Sequence, residues 1–168
     1  EAVTGLPPGT ALDLGCGEGG DSVWLARHGW RVVAVDIANN ALLRAAELAG
    51  ELADRIEFQQ HDLTKSFPAG SYVLHSPLGW DRNLILRRPA DAVAPGGVLL
   101  IVDHGEAPPW AERIRDHVFP GADEVVEGLE LDSAGWERVR VGRAEREAQG
   151  PDGQVATLID NVIMLRRR

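Results

Sequence analysis

Hydrophobic and polar positions change period repeatedly along this chain, and each change marks an element. Thr10 to Leu14 is a short apolar run of the kind a strand buried on both faces requires, and Arg31-Val32-Val33-Ala34-Val35-Asp36 is a second. Between them, Val23, Trp24, Leu25 and Ala26 predict a short helix from about Gly20 to His28, closed by Gly29 where a left-handed cap is expected. Asn39-Asn40 can cap a further helix, along which Leu42, Ala45, Ala46, Ala49 and Leu52 recur at helical spacing. Ile56 to His61 predicts a third strand. Arg82 to Ala92 predicts a helix that Pro89 bends or ends early, and Pro95-Gly96-Gly97 turns into the buried central strand Val98 to Val102. After the break at Pro108-Pro109, Ala111 to Val118 reads as a short helix. Glu137 to Glu147 then alternates in part, with Val139 and Val141 on one side. Asp152-Gly153 offers a turn, and Ala156 to Leu165 returns as the second arm of an antiparallel edge hairpin. Strands alternating with helices define an α/β sheet.

The first strand runs directly into Asp13-Leu14-Gly15-Cys16-Gly17-Glu18-Gly19-Gly20, where bare backbone lets a ligand approach closely. Asp36 ends the second strand, 21 positions after Gly15. Open parallel sheets bind ligands beyond the carboxyl ends of their strands, and a carboxylate there can accept hydrogen bonds from both ribose hydroxyls. Strand, glycines, helix, strand and terminal acid together point to an adenosine-containing ligand. Gly15, Gly17 and Gly20 also satisfy Gly-x-Gly-x-x-Gly, so a nicotinamide-dependent oxidoreductase is an alternative. Asp13 and Glu18 oppose it, because negative charge at the turn suits an ammonium and repels a pyrophosphate.

Composition narrows the classes. The 168 residues, 44% of them apolar, suffice for one domain that buries about 70% of its unfolded surface. A net charge of −9 disfavours the phosphate attraction that nucleic-acid binders use, so no nucleic-acid partner is expected. Arg166-Arg167-Arg168 reads as a solvated tail. One cysteine excludes an internal disulfide, and the chain has no secretory segment and no run of 18 apolar residues. The expectation is a cytoplasmic protein with no membrane contact and no metal. Cys16 reads as a small buried residue beside the ligand in preference to a reactive thiol.

The motif Asp13-Leu14-Gly15-Cys16-Gly17-Glu18-Gly19, followed by Val35-Asp36-Ile37, resembles the first two motifs of the Rossmann-like (class I) S-adenosylmethionine-dependent methyltransferases. Gly19-Gly20-Asp21 through Asn39-Asn40-Ala41 is most similar to the small-molecule branch that includes tellurite-resistance and thiopurine methyltransferases. Recognisable motifs cover Thr10 to Val102, and a matching order of elements continues to the C-terminus. The resemblance implies a doubly wound, mostly parallel seven-stranded sheet with a C-terminal antiparallel hairpin, forming a single methyltransferase domain over residues 1–168. With the glycine turn so close to Glu1, part of the family's N-terminal helical cover is expected to be missing.

The implied activity is methyl transfer from S-adenosyl-L-methionine, leaving S-adenosyl-L-homocysteine, to a small-molecule nucleophile. A cofactor-binding module without turnover is a further alternative. Gly15, Cys16 and Gly17 would line the cofactor's methionine portion. Asp13 would orient its ammonium directly or through a bridge, Asp36 would hold the ribose, and Ile37, Asp62 and Leu63 would bind adenine. Gly70 to Pro77 is too short for the strand and loop the family has there, so either strand four is abbreviated or residues are absent. A hydroxyl or amine acceptor needs a proton acceptor, and His75 and His104 are the histidines nearest strand carboxyl ends. A thiol or chalcogen oxyanion would need neither.

Overall fold

The computed structural model describes residues 3–63, 65, 68, 74–75 and 82–168. Its strands are β1 (Thr10–Leu14), β2 (Arg31–Asp36), β3 (Ile56–Gln60), β4 (Leu74–His75), β5 (Val98–His104), β6 (Trp136–Gln149) and β7 (Val155–Arg167). Its helices are α1 (Gly20–Arg27), α2 (Asn39–Ala49), α3 (Arg82–Ala92) and α4 (Ala122–Gly128), with 3-10 turns at Gly50–Arg55 and Glu112–Ile114.

Hydrogen-bonded neighbours follow the order β3-β2-β1-β4-β5-β7-β6. The fold is α/β with a C-terminal antiparallel hairpin, as expected, but one mostly parallel seven-stranded sheet describes it poorly. Among the described residues, a parallel block, β3-β2-β1, and an antiparallel block, β5-β7-β6, are bridged by Leu74 and His75 of β4, which pair Leu12 with Leu74, Asp13 with His75 and Leu74 with Leu99. The expectation of an abbreviated strand falls on Gly70 to Pro77, of which 70–73 and 76–77 lie outside the described residues.

Residues of alternate parity send two apolar sets to opposite faces of β5 and β7. Leu99, Ile101, Ile163 and Leu165 pack with Leu86, Val93, Val125 and Leu129 of the α3/α4 side. Val98, Leu100, Val162 and Met164 pack with Val3, Trp24 and Leu25 on the α1 side.

Several local expectations are corrected. α3 runs past Pro89 to Ala92, held down by the buried residues Leu86, Ala90 and Val93 around it. Asn39 and Asn40 lie inside the first turn of α2; the N-cap is Ala38, which makes no side-chain cap bond. Ala111 to Val118 contains a 3-10 turn at Glu112–Ile114 in place of a helix. Val139 and Val141 do not share a side, because the register slips between Arg138 and Arg140 and leaves Val139 as the bulged residue. Arg166 and Arg167 belong to β7 rather than to a tail: Arg167 Nη1 donates to the carbonyls of Asp91 and Val93 at 3.0 and 2.6 Å. Among the described residues no helix is long and apolar enough to cross a membrane, and no group of three or more His, Cys, Asp or Glu is placed to hold a metal ion.

Candidate functional site

Because β1, β2, β4 and β5 are parallel, Gly15, Asp36, His75 and His104 all fall at one edge of the sheet. Adjacent strands are about 4.8 Å apart, so the ends of β2 and β5 are roughly 14 Å from one another along that edge.

The glycine turn is fixed to the end of β2. The amides of Gly15 and Cys16 both donate to the Val35 carbonyl, at 2.7 and 2.9 Å. Asp36 closes the clamp: its Oδ2 accepts the Gly17 amide at 2.9 Å and its Oδ1 accepts the Ala38 amide at 2.8 Å. A carboxylate has about four lone-pair positions. Each oxygen of Asp36 therefore keeps acceptor capacity after the backbone bonds are made. Gly17 has φ +53°, and a Cβ built there would meet nothing within 4 Å. The space over this backbone is open, which is the cradle a close-approaching ligand needs, so the residues present fit an adenosyl ligand.

Gly19, which sequence reasoning did not single out, is required for a different reason. At φ +82° it caps α1, and a Cβ there would lie 2.7 Å from Ala45 Cβ. Its bareness is what lets α1 and α2 approach one another.

Asp13 is 1% exposed, and its Oδ2 accepts the Ser22 hydroxyl at 2.6 Å. Its carboxylate thus ties β1 to the first turn of α1 from inside the sheet. Glu18 forms an exposed ion pair with Arg44. Cys16 lies half-buried, and its thiol is pushed up to about 12, first by burial and then by the carboxylates of Asp13 and Asp36. It is a neutral thiol beside the turn.

Ile37 follows Asp36 with 53% exposure, while its carbonyl accepts the Gln60 side-chain amide at 2.9 Å. The Asp36 carbonyl accepts the His61 amide at 3.1 Å, which draws the end of β3 against β2 and brings Asp62 to the same corner. Asp62 pairs with Lys65 at 2.8 Å, and that carboxylate raises the Lys65 pKa through a hydrogen bond and direct charge attraction. Leu63 turns away into the core with Leu14 and Val35. Ile37 and Asp62 thus border the clamp, and Leu63 supports it from beneath.

At the other end of the edge, β5 terminates in His104. The backbone of His75 is placed beside Asp13, but its side chain lies outside the described residues. The His104 Nδ1 lies 3.3 Å from Asp160 Oδ1, and the guanidinium of Arg146 pairs with Asp160 Oδ2. The His104 ring meets Phe119 edge-on, with centroids 6.3 Å apart, and Phe119 meets His117 in the same way at 4.7 Å. Phe119, Val118, Pro108 and Pro109, with Arg115 and His117, line an open cavity of about 390 Å³, a size suited to a small molecule.

Sequence reading named His104 but missed Asp160 and the cavity. A usable signal existed: Asp160-Asn161 interrupts the apolar run from Leu158 to Leu165, and a polar pair inside a buried strand needs a partner.

A parallel strand–helix–strand unit whose glycine turn is clamped by the terminal acid of the second strand, joined to an antiparallel hairpin, defines an adenosyl-ligand type of α/β fold. Residues 11–97 match the methyltransferase domain family, and the chain belongs to that family. It is 33% identical over 124 residues to the ribosomal RNA small subunit methyltransferase C of Alcanivorax borkumensis, covering 66% of this chain and 38% of that protein. The chain spans about a third of the length of the curated relatives it matches. Its fold is shared with TehB from Haemophilus influenzae, at a TM-score of 0.76 and 19% identity, covering 99% of this chain and 60% of that one. It is shared as well with the N-methyltransferase NodS from Bradyrhizobium japonicum WM9, solved in complex with S-adenosyl-L-homocysteine. There the TM-score is 0.70 and the identity 20%, covering 98% of this chain and 81% of the other.

Proposed function

We propose that this chain is a single-domain methyltransferase that binds S-adenosyl-L-methionine at the Gly15–Asp36 clamp and methylates a small-molecule nucleophile. The carrying observation is the Asp36 carboxylate held by the Gly17 and Ala38 amides beside open space at a bare glycine. When bound, the cofactor supplies a methyl group made electrophilic by its sulfonium, so the protein's work is alignment and exclusion of water.

In this reading Asp36 accepts the ribose hydroxyls with its remaining lone pairs, while Gly15, Cys16 and Gly17 line the methionine portion. Ile37 gives the adenine an apolar wall, Asp62 accepts from its amino group, and Leu63 supports that wall from the core. Asp13, enclosed and bonded to Ser22, suits the bridged form of an ammonium contact. His75 and His104 are the candidates for receiving an acceptor proton.

A net charge of −9 favours a small-molecule acceptor over an RNA, even though one relative's name is that of a ribosomal RNA methyltransferase. The small-molecule branch that includes tellurite-resistance enzymes is the placement we favour. A single cysteine, with no disulfide framework of the kind small secreted domains carry, favours the cytoplasm.

Calorimetric titration with S-adenosyl-L-methionine, S-adenosyl-L-homocysteine and NADH tests the assignment: micromolar binding of the two adenosyl ligands and none of NADH is expected. Asp36→Asn keeps the shape but removes the charge, and should weaken S-adenosyl-L-homocysteine by about 10- to 100-fold, the worth of hydrogen bonds to a charged acceptor. Unchanged affinity in a folded Asp36→Asn protein would remove Asp36 from the site. Binding of NADH alone would restore the oxidoreductase alternative. Binding of the adenosyl ligands with no methyl transfer to any acceptor would favour a module without turnover.

A further inference from the structure

The His104–Asp160 pair is built with more care than a surface histidine requires. His104 and Asp160 face one another directly across the β5–β7 ladder, one pair beyond Asp103 and Asn161. Successive residues of a strand point to opposite faces, so these two polar pairs serve different purposes. On the α3/α4 face, Asn161, fully buried, donates to Asp103 at 2.8 Å and to the Pro120 carbonyl at 2.9 Å. That ties down the segment carrying His117, Val118 and Phe119. On the other face, the Asp160 side chain is only 7% exposed, whereas that of His104 is 41% exposed.

Arg146 already gives the buried Asp160 a counter-charge through Oδ2. The second contact, from Oδ1 to the imidazole, is therefore not needed to neutralise the carboxylate. It does something else: it engages Nδ1 and leaves Nε2 as the ring nitrogen without a partner among the described residues. The 3.3 Å separation is at the long end for a hydrogen bond. The ring stands edge-on to Phe119, a wall of the 390 Å³ cavity.

We propose that Asp160 is a positioning residue that fixes His104 as its Nδ1–H tautomer, so that Nε2 removes a proton from a hydroxyl or amine acceptor seated in the Phe119 cavity. This rests on the methyl-transfer reading above. The acceptor's lone pair forms the new bond to the methyl carbon as the methyl–sulfur pair returns to sulfur, leaving a neutral thioether. The acceptor's proton passes to Nε2, and the resulting imidazolium is held by Asp160 until it gives the proton to water. The acceptor class is thereby narrowed to protic nucleophiles, since a thiolate or chalcogen oxyanion brings no proton to remove.

The test has two readouts on the full chain, with unfolding curves to confirm that each variant folds. Long-range nitrogen-15 NMR of the imidazole at pH 8.5 should find His104 in the Nδ1–H form. That preference should be lost in Asp160→Asn and regained in part in Asp160→Glu. In parallel, methyl transfer is followed to catechol, whose hydroxyl is largely protonated, and to 4-nitrothiophenol, which is already anionic. Catechol turnover should fall about 100-fold in His104→Gln and about 10- to 100-fold in Asp160→Asn, with KM and S-adenosyl-L-homocysteine affinity unchanged. Thiophenol turnover should not respond to either substitution.

An Nε2–H tautomer in the wild-type protein, or a tautomer unmoved by Asp160→Asn, overturns the proposal, as does methylation of the thiol with none of catechol. Failure of S-adenosyl-L-homocysteine to bind is a different result, which removes the methyl-transfer reading and the base role with it.

Discussion

Cys16 occupies the position where a thiol would look most reactive, in the glycine turn, and its surroundings make it the opposite. Burial and then the carboxylates of Asp13 and Asp36 hold its proton up to about pH 12. At pH 8 the thiolate fraction is on the order of 10⁻⁴, against about a quarter for a free cysteine. Alkylation by iodoacetamide at that pH should therefore be slower than that of a model thiol by roughly a thousandfold, and should accelerate as pH rises toward 12; labelling at the model rate at pH 8 would contradict this environment. The same carboxylates show what was legible at single positions. Asp36 was readable as a strand-end acid beside a glycine turn, because both features are local. The enclosure of Asp13 was not, since it depends on Ser22 turning back onto β1 one helical turn into α1. The position of Leu63 just after β3 was readable, but which way its side chain turns is decided by the core cluster beneath it.

At the scale of elements, the β1–α1–β2–α2–β3 half was legible to within a residue or two, because buried parallel strands are continuous apolar runs and α2 carries a full apolar stripe. The second half was less so. α4 has seven residues and buries only Ala122 and Val125, too little for a period to emerge. The Val139 bulge shifts a strand's parity without any glycine to announce it. Within that half, α1 approaches α2 at Gly19. Gly19→Ala adds left-handed strain of about 1–2 kcal/mol and a Cβ overlap costing about 1–3 kcal/mol more, since Ala45 Cβ would lie 2.7 Å away. Urea unfolding should register a loss of roughly 2–5 kcal/mol. Its neighbour is the control. A Cβ at Gly20 meets nothing within 4 Å and φ is not left-handed, so Gly20→Ala should be neutral or slightly stabilising. Equal effects of the two substitutions would mean that backbone freedom, and not the helix contact, sets the requirement.

For the molecule as a whole, the question is whether the parallel and antiparallel blocks behave as one body. The side chains on either face couple them. On the α3/α4 side one cluster contains Leu12, Leu14, Val33 and Val35 of the parallel block together with Leu99, Ile101, Ile163 and Leu165 of the antiparallel block. On the opposite side, Trp24 and Leu25 of α1 lie against Val98, Leu100 and Met164. Burial on both faces across the seam is worth about 25 cal/mol per Å² of apolar surface. Unfolding should therefore be cooperative across the blocks. Val35→Ala, at a fully buried position of β2, removes two methyl groups and should cost roughly 1.5–3 kcal/mol. Amide hydrogen exchange should then accelerate by the same factor in β7 as in β2, although no strand pairing connects the two directly. If β7 keeps its protection while β2 loses it, the blocks open independently, and the sheet edge carrying both Asp36 and His104 would not be a fixed platform for cofactor and acceptor. Equal acceleration would mean that the core holds the two ends of the proposed site at a constant separation.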